Sequence, residues 1–528
     1  MEINSDLPQG WSSIALNQIT TKLIDGSHNP PSKQEHGLPM LSARNIENGK
    51  INFNDFRYID EIAFETENNR TKVRPGDVLL TIVGAIGRAT TVPENIEPFT
   101  LQRSVAVLSP IGITPEFLMY QLRSPRKQAE LLDKAKGTAQ KGIYLKKLGG
   151  IELLVPPLNE QRRIVAKIEA LKARSQRVKE ELETIAPLLD QFRQSVLAAA
   201  FRGDLTADWR EKNPDVEPAS VLLERIRAER DRRYEQECQK SEAEGRKKTT
   251  PFKQNIEPID LSSLPAIPDT WSWERIVNIS NVIGGVTKGR QFGNRKTIML
   301  PYLRVANVQD GFLDLNEIKE IEVLPEDLQK YHLEYGDILF TEGGDRDKLG
   351  RGTVWLNNLE NCIHQNHIYR ARLYYPGVSS SYISIATKSK YAKAYFFANA
   401  NQTTNLASIN ITTLGNLPLP IPPKKEQEKI VYRVNKFFKV ADLIEQQYKE
   451  AQVYLDQLDR SILAKAFRGE LVPQDPNDEP ASVLLERIRA EREKLDTKKK
   501  AKGKTEKKSH KAKPEPAEPK QLSLPGFE

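Results

Sequence analysis

PPLNEQRRIV (residues 156–165) and PPKKEQEKIV (residues 422–431) stand 266 positions apart, and the same offset joins SVLAAAFRGDL from Ser195 to SILAKAFRGEL from Ser461. No gap is needed between these anchors. Each prolyl pair sits where a helix would begin, with Pro157 and Pro423 suited to a first turn that lacks N–H partners and Glu160 and Glu426 suited to its positive dipole end. An apolar stripe follows at alternating steps of four and three. Ile164, Ile168, Leu171, Val178, Leu182, Ile185 and Leu189 lie on the first copy, broken only by Ser175. Ile430, Val434, Phe437, Ile444, Leu455 and Leu458 lie on the second. A 3.5-residue period over five heptads predicts two long helices that pair as a coiled coil. Each would be about 64 Å long at 1.5 Å per residue. Pro187, whose counterpart is Val453, predicts a kink in the first helix alone.

The repeat extends in both directions. EPASVLLERIRAER occurs from Glu217 and again from Glu479, an offset of 262, so the first copy holds four extra residues around Trp209. This amphipathic segment fits two roles equally, a partner's docking face or a cap on the helical bundle. Upstream the match is looser: Pro8 and Trp11 with Pro268 and Trp271, Asn45 and Gly49 with Asn307 and Gly311, Gly76-Asp77 with Gly336-Asp337. The helical parts are close copies and the globular parts have diverged, which suggests one frame carrying two different readers. The expected division is a first globular domain over 1–155, a helical spacer over 156–242, a charged linker over 243–266, a second globular domain over 267–421, a second spacer over 422–493 and a Lys-rich tail over 494–528. The fold class is α/β (mixed α+β). VLLTIVGAIGRATTV and DILFTEGG read as strands and turns, IHQNHIYRARL reads as a strand, and PEFLMYQLRSPRKQAELL reads as a helix. If a pseudo-twofold relates the copies, the helices run antiparallel.

Charged residues make up 28% of 528, mean hydropathy is −0.56, and no apolar run approaches a bilayer span. No signal peptide is expected from MEINSDLPQGW, and two cysteines allow neither a disulfide framework nor an all-thiolate zinc site. The cytoplasm is the expected compartment. The net charge of +8 is mostly the tail: Lys494–Lys520 holds eleven Lys and four acids. A nucleic-acid surface in the body must therefore be a local basic patch.

Four short strings suggest catalysis, and each fails on its chemistry. Asn29-Pro30-Pro31-Ser32 lacks the aromatic that would stack on a flipped base. Pro268-Asp269 with Glu317-Ile318-Lys319 has the spelling of a nuclease site but no further carboxylate for a metal. His364 and His367 have zinc-like spacing on what reads as a strand, where residues three apart face opposite ways. Gly84-x-x-Gly87 lacks the Lys of a phosphate loop. What remains is side chains that read base edges. In the first domain these are Arg44, Arg70, Arg88, Gln102, Arg103, Gln140, Lys141 and Tyr144. In the second they are Lys288, Arg290, Arg304, Arg346, Lys348, Arg351, Gln365, Asn366, His367, Arg370, Asn405 and Asn410.

The duplicated PPLNEQRRIV and PPKKEQEKIV, the AFRGDL and AFRGEL that close each helix, and DGSHNPPS, LPMLSARNIENGKI and GDVLLTIVGAIGR together resemble the specificity (S) subunits of Type I restriction–modification enzymes over nearly all of residues 5–493. The resemblance implies two target-recognition domains on double-stranded DNA, each reading one half of a split site. It also implies modification (methyltransferase) subunits, two of them expected, and restriction (motor/nuclease) subunits as partners. AdoMet, ATP and Mg²⁺ would sit on those partners, with no cofactor, metal or catalytic residue in this chain. A coiled-coil scaffold without DNA contact, and a single-chain DNA methyltransferase or nuclease, are the alternatives. The last residues, Gln521, Leu522, Leu524 and Phe527, resemble the short apolar peptides that bind the bacterial replication sliding clamp, although Gly526 spreads the usual spacing.

Overall fold

The computed structural model describes residues 7–137, 141–245, 252–344, 349–402 and 407–494. They form two compact units, Met1–Leu182 with Glu450–Glu528, and Glu183–Lys449. The terminal motif at Gln521, Leu522, Leu524 and Phe527 lies outside the described residues.

In the first unit the strand Ser12–Ala15 pairs antiparallel with Glu152–Val155, which leads into the long helix. Between them lies a four-stranded antiparallel sheet in the order Thr20–Asp25, Val105–Pro110, Val78–Thr81, Ala89–Thr91. A three-stranded sheet adds Arg57–Ile59, Leu38–Leu41 and Thr100–Leu101, the last two parallel. The central strands are buried on both faces, which is why they read as unbroken apolar runs. Val78, Leu80, Ala106 and Leu108 enter the larger core, and Leu79, Val105 and Val107 enter a smaller one with Leu41 and Leu101. The helix expected over PEFLMYQLRSPRKQAELL is two, Pro115–Arg123 and Pro125–Lys134. Pro125 starts the second and forces Ser124 to an extended ψ of 148°.

The second unit repeats this plan. Ser272–Arg275 pairs with Pro418–Ile421, and the four-stranded sheet runs Ser280–Gly284, Ile368–Leu373, Ile338–Thr341, Gly352–Val354. Lys319–Val323, Ile298–Leu303 and Ile363–His364 form the three-stranded sheet, again with one parallel pair.

The helical segments are shared out reciprocally. In the first unit, helix Leu158–Glu183 buries Ile164 and Ile168 with Ile462, Leu463 and Ala466 from the end of helix Lys424–Ala466 and Phe467 just beyond it. Ala481, Leu484, Leu485 and Ile488 of a helix over 481–494 join the same core. Lys179 reaches Asp456 at 2.8 Å and Asp459 at 3.0 Å. In the second unit, helix Ile185–Arg202 and Ala219, Leu222, Leu223 and Ile226 of helix Ala219–Ala243 pack with Ile430 and Val434. Arg193 reaches Asp442 and Glu445, each at 2.8 Å, and Phe192 meets Phe437 edge-on at 6.0 Å. Both copies of PASVLLERIRAER therefore cap cores of this chain, and their apolar faces are filled. The first long helix is interrupted at Thr184, between Leu158–Glu183 and Ile185–Arg202, as Pro187 demands by withholding an N–H from the Glu183 carbonyl. The last part of the charged linker, residues 252–266, packs on the second domain: Phe252 lies on Tyr374 at 5.4 Å, and Asn255 bonds Asn278.

The repeated anchors have one structural purpose. The Trp11 indole N–H donates to Glu160 at 3.1 Å, and Trp271 to Glu426 at 2.8 Å, both carboxylates being buried. Beside them, Gln161 donates to the Pro156 carbonyl and Gln427 to that of Pro422. The glycine of each AFRG takes a positive φ, +82° at Gly203 and +77° at Gly469, and a Cβ there would lie 2.6 Å from Pro268 or Pro8. The four extra residues of the first copy break the symmetry: they bring Arg210 onto Glu426, which also accepts from Thr206. Val472 stands where Thr206 does, and among the described residues Glu160 has no such bridge. Burial holds the Glu160 carboxyl above its ordinary value of 4.5, with the Trp11 N–H pulling the other way.

A carboxyl whose folded pKa is raised favours the fold most below its ordinary pKa, and that contribution is lost as pH rises through the folded value. Glu160→Gln keeps an acceptor for Trp11, so its Tm at about pH 7 should equal or exceed the wild type's, with a flatter decline above about pH 4.5. Glu426→Gln strands Arg210 and should cost about 2 kcal/mol, a discounted figure because Arg210 is partly exposed. Thermal melts of both variants across that pH range check the contrast.

Candidate nucleic-acid interface

In the first domain the strand Val78–Thr81 ends in a turn that returns as Ala89–Thr91. Gly84 and Gly87 take φ of +77° and +92° there, and the Thr81 hydroxyl accepts the Arg88 N–H at 2.9 Å. Beside it a short 3-10 turn, Ala43–Asn45, is built on a buried amide. Asn45 accepts the Ser42 N–H and donates to the Asn52 and Asp55 carbonyls at 3.1 and 2.9 Å. These elements and the Gln102–Val105 turn border a groove of about 640 Å³ lined by Lys33, Arg44, Arg57, Arg88, Gln102 and Arg103, with Asp55 as its one acid. Arg57 is held by the Pro31 carbonyl at 2.5 Å, Arg44 lies 3.6 Å from Asp55, and Arg88 is 3.3 Å from the Ile46 carbonyl and 4.0 Å from Glu47. An adjoining depression of about 500 Å³ shares Arg103 and adds His28, Lys136 and Tyr144, the last 70% exposed. Asp25 at its floor binds His28 at 2.7 Å and Arg70 at 2.8 Å. Lys141 is exposed, and its carbonyl accepts the Gly84 N–H at 3.0 Å. Gln140 lies outside the described residues.

The second domain uses the same frame with other side chains. Asn307 repeats Asn45, donating to the Asp314 and Glu317 carbonyls at 2.9 and 3.0 Å. Arg351 repeats Arg88: Thr81 donates to the Arg88 carbonyl, and Thr341 to that of Arg351. The Arg351 guanidinium reaches Gln309 at 2.8 Å. Arg290 pairs with Asp327 at 2.9 Å and lies over the Phe292 ring, Arg304 donates to the Glu317 carbonyl at 3.1 Å, and Lys288 is exposed. Gln365, Asn366 and His367 occupy a turn, with the His367 imidazole held by Glu342. Two candidates have structural duties as well. Arg370 is 4% exposed and donates to the Lys330 and His332 carbonyls, and burial with the neighbouring Arg372 pulls its pKa down to about 10. Asn410 caps the helix Ile411–Asn416 through the Thr413 N–H at 2.7 Å. Arg346, Lys348 and Asn405 lie outside the described residues.

A family profile described as the Type I restriction modification DNA specificity domain matches residues 8–185 and 268–453. The chain belongs to this family. It is 26% identical over 506 residues to the Type I restriction enzyme EcoKI specificity subunit of Escherichia coli strain K12, covering 92% of this chain and 96% of that one. It is 36% identical over 233 residues to the EcoBI specificity subunit of Escherichia coli, covering 42% of this chain and 49% of that one. Among solved structures, one from work on complex assembly and conformational transition of the type I R-M system has a TM-score of 0.55 at 18% identity, covering 88% of this chain and 99% of that one. The HsdS subunit from Thermoanaerobacter tengcongensis has a TM-score of 0.50 at 18% identity, covering 89% and 99%. These two likenesses speak for the fold.

In this specificity-family fold the motif-like strings are structural. The Pro31 carbonyl anchors Arg57, so NPPS is part of an irregular loop beside the groove. Pro268 packs at Gly203, while Glu317 lies 3.3 Å from Lys319 and 3.5 Å from Arg304. His364 is fully buried with Nδ1 2.9 Å from the Ile368 carbonyl, and burial pushes its pKa down to about 4. Burial likewise pushes the Cys362 thiol up to about 12. Among the described residues no three His, Cys, Asp or Glu side chains gather as a metal site, and no helix is long and apolar enough to cross a membrane. The reading from sequence missed Lys33 and Arg57, which only the fold brings to the groove, and His28 and Lys136, which it brings to the adjoining depression.

Asn45→Ala or Asn307→Ala leaves buried backbone groups unpaired and should cost about 2 kcal/mol, visible as a lower Tm. Arg44→Ala in the same turn should leave the Tm within about a degree. It should weaken duplex DNA binding and reduce the salt slope of the affinity by about 0.9 if Arg44 neutralises one phosphate. Melting curves and salt titrations separate the two classes.

Proposed function

We propose that this chain is the non-catalytic specificity subunit of a Type I restriction–modification complex, each globular domain reading one half of a split duplex site. The observation that carries this reading is one frame built twice, basic in its first groove and furnished with different exposed side chains in each copy. A scaffold without DNA contact has no use for a groove with five cations against one acid. Modification subunits, two of them, and restriction subunits would supply methylation, translocation and cleavage with AdoMet, ATP and Mg²⁺, in the cytoplasm. Selection of bound sequences from random duplex DNA by the complex with its modification subunits tests the function. Recovery of no split site would reject it.

The helices would serve as an antiparallel coiled-coil spacer between domains over 1–155 and 267–421. Matching ion pairs support this. Lys179 meets Asp456 and Asp459, while Arg193, 14 residues later, meets Asp442 and Glu445, 14 residues earlier. A shift of two heptads in opposite directions is the antiparallel register. Such a spacer sets half-site separation by geometry. Replacing residues 7–155 with the first domain of another family member should change one half-site and leave the other and the spacing intact. Methylation mapping in cells carrying the complete system reads this directly, and a change in both halves counts against independent readers.

For the tail, the proposal is docking of Gln521, Leu522, Leu524 and Phe527 on the sliding clamp, a tether that raises enzyme concentration near newly replicated DNA. A peptide of residues 515–528 should bind purified clamp at micromolar strength, roughly −8 kcal/mol. Binding should vanish with Gln521→Ala plus Leu524→Ala. Absence of binding by both the peptide and the intact complex rejects the docking.

A further inference from the structure

We infer that base selection in each domain rests on one four-residue turn, Gln102–Val105 in the first and Gln365–Ile368 in the second. Arg103 selects a guanine in one half-site, and Asn366 selects an adenine in the other. The inference depends on the DNA-reading function proposed above and assigns it to particular side chains.

The two turns are the same object. Gln102 N–H donates to the Leu41 carbonyl at 2.8 Å, and Gln365 N–H to Leu303 at 3.0 Å. Arg103 N–H donates to Ser27 at 2.8 Å, and Asn366 N–H to Val286 at 2.9 Å. The turns close by Val105 N–H to Gln102 at 3.0 Å and Ile368 N–H to Gln365 at 2.9 Å. The carbonyls of Ser104 and His367 accept from Ile82 at 2.9 Å and Glu342 at 3.0 Å. Each turn also lies against a glycine that admits no side chain. A Cβ on Gly26 would fall 2.1 Å from the Leu101 carbonyl oxygen, and one on Gly285 would fall 1.9 Å from that of His364. The backbone is thus over-determined at this point in both domains, while its middle residues differ: Arg103-Ser104 in one, Asn366-His367 in the other. A rigid tip with interchangeable side chains is what selective hydrogen bonding to base edges requires.

The side chains fit that use. Arg44, Arg57 and Arg88 in the same groove are each met by a protein acceptor, whereas Arg103 is exposed and has no side-chain hydrogen bond or ion pair among the described residues. It also borders both depressions of the first domain. In the second domain Glu342 fixes the His367 ring, whose Nε2 lies 3.4 Å from the Asn366 amide nitrogen. Arginine matches guanine O6 and N7 with two donors, and asparagine matches adenine N6 and N7 with an acceptor and a donor. Gln102 and Gln365 are alike and cannot make the half-sites differ.

The test uses the full chain in complex with its modification subunits, selecting from duplex DNA randomised in both half-sites. Arg103→Asn should turn a guanine preference at one position of one half-site towards adenine, and Asn366→Arg should do the reverse in the other half-site. Each should change discrimination at that position about tenfold or more and leave the opposite half-site unaltered. Arg103→Ala, which removes an exposed side chain, and Asn366→Ala, which removes a half-buried amide beside the His367 ring, should lose that discrimination while assembly with the modification subunits is kept and the Tm stays close to that of wild type. Variants that keep the wild-type preference at every position, or change both half-sites at once, overturn the inference. A wild-type complex that selects no split site would instead remove the function on which the inference rests.

Discussion

An indole N–H donating to a buried carboxylate in a helix's first turn is the contact on which each half of this molecule depends. Trp11 to Glu160 and Trp271 to Glu426 join the entry of a globular domain to the start of the helix that leaves it. A buried carboxylate is costly without donors, so the pair defines one geometry for that junction. The neighbouring glutamines bind the prolyl carbonyls, and a glycine at positive φ admits the incoming proline. Pro-x-x-Trp, Pro-Pro-x-x-Glu-Gln and Ala-Phe-Arg-Gly are thus parts of one joint, which is why they recur together while the domains they connect differ.

The joint is duplicated and then made unequal. Glu426 gained Arg210 through four inserted residues, whereas Glu160 keeps a buried charge whose pKa is raised. The helices diverged likewise. Lys179 corresponds by the repeat to Glu445, and Arg193 to Asp459, so the basic members lie on the first helix and the acidic ones on the second. A helix paired with a copy of itself in the same register would oppose Lys179 to Arg193. Each ion pair contributes little by itself at an exposed position, yet like-charge juxtaposition discriminates against the wrong partner.

Buried amides divide the candidate DNA surface into frame and reader. Asn45 and Asn307 satisfy backbone groups within their turns, and Arg370 does the same from the strand Ile368–Leu373, although all three are residue types that read bases. Arg103 and Asn366 sit where the backbone is held from several sides; the Arg103 side chain is exposed, and the Asn366 amide is half-buried beside the His367 ring. Residue type alone could not sort these groups, because an Arg or Asn is equally able to bond a carbonyl of its own chain and a base edge.

The repeat at 266, the helix starts, the Pro187 break and the mixed α/β class were legible in the sequence, because they follow from local rules: period, proline's missing N–H and apolar alternation. The recognition tip was not. IHQNHIYRARL reads as a continuous strand, since Gln365-Asn366-His367 contains no glycine or proline to announce a turn, and the bonds that bend it come from Leu303, Val286 and Glu342. For the same reason the sequence left open whether the PASVLLERIRAER helices face a partner. Only the fold shows them filling cores assembled from distant segments, Ala481 with Gly10 and Ala219 with Thr270. Sequence by itself determined which elements form and that they form twice; contacts between residues far apart in the chain decided which polar groups are spent on the frame and which remain to meet DNA.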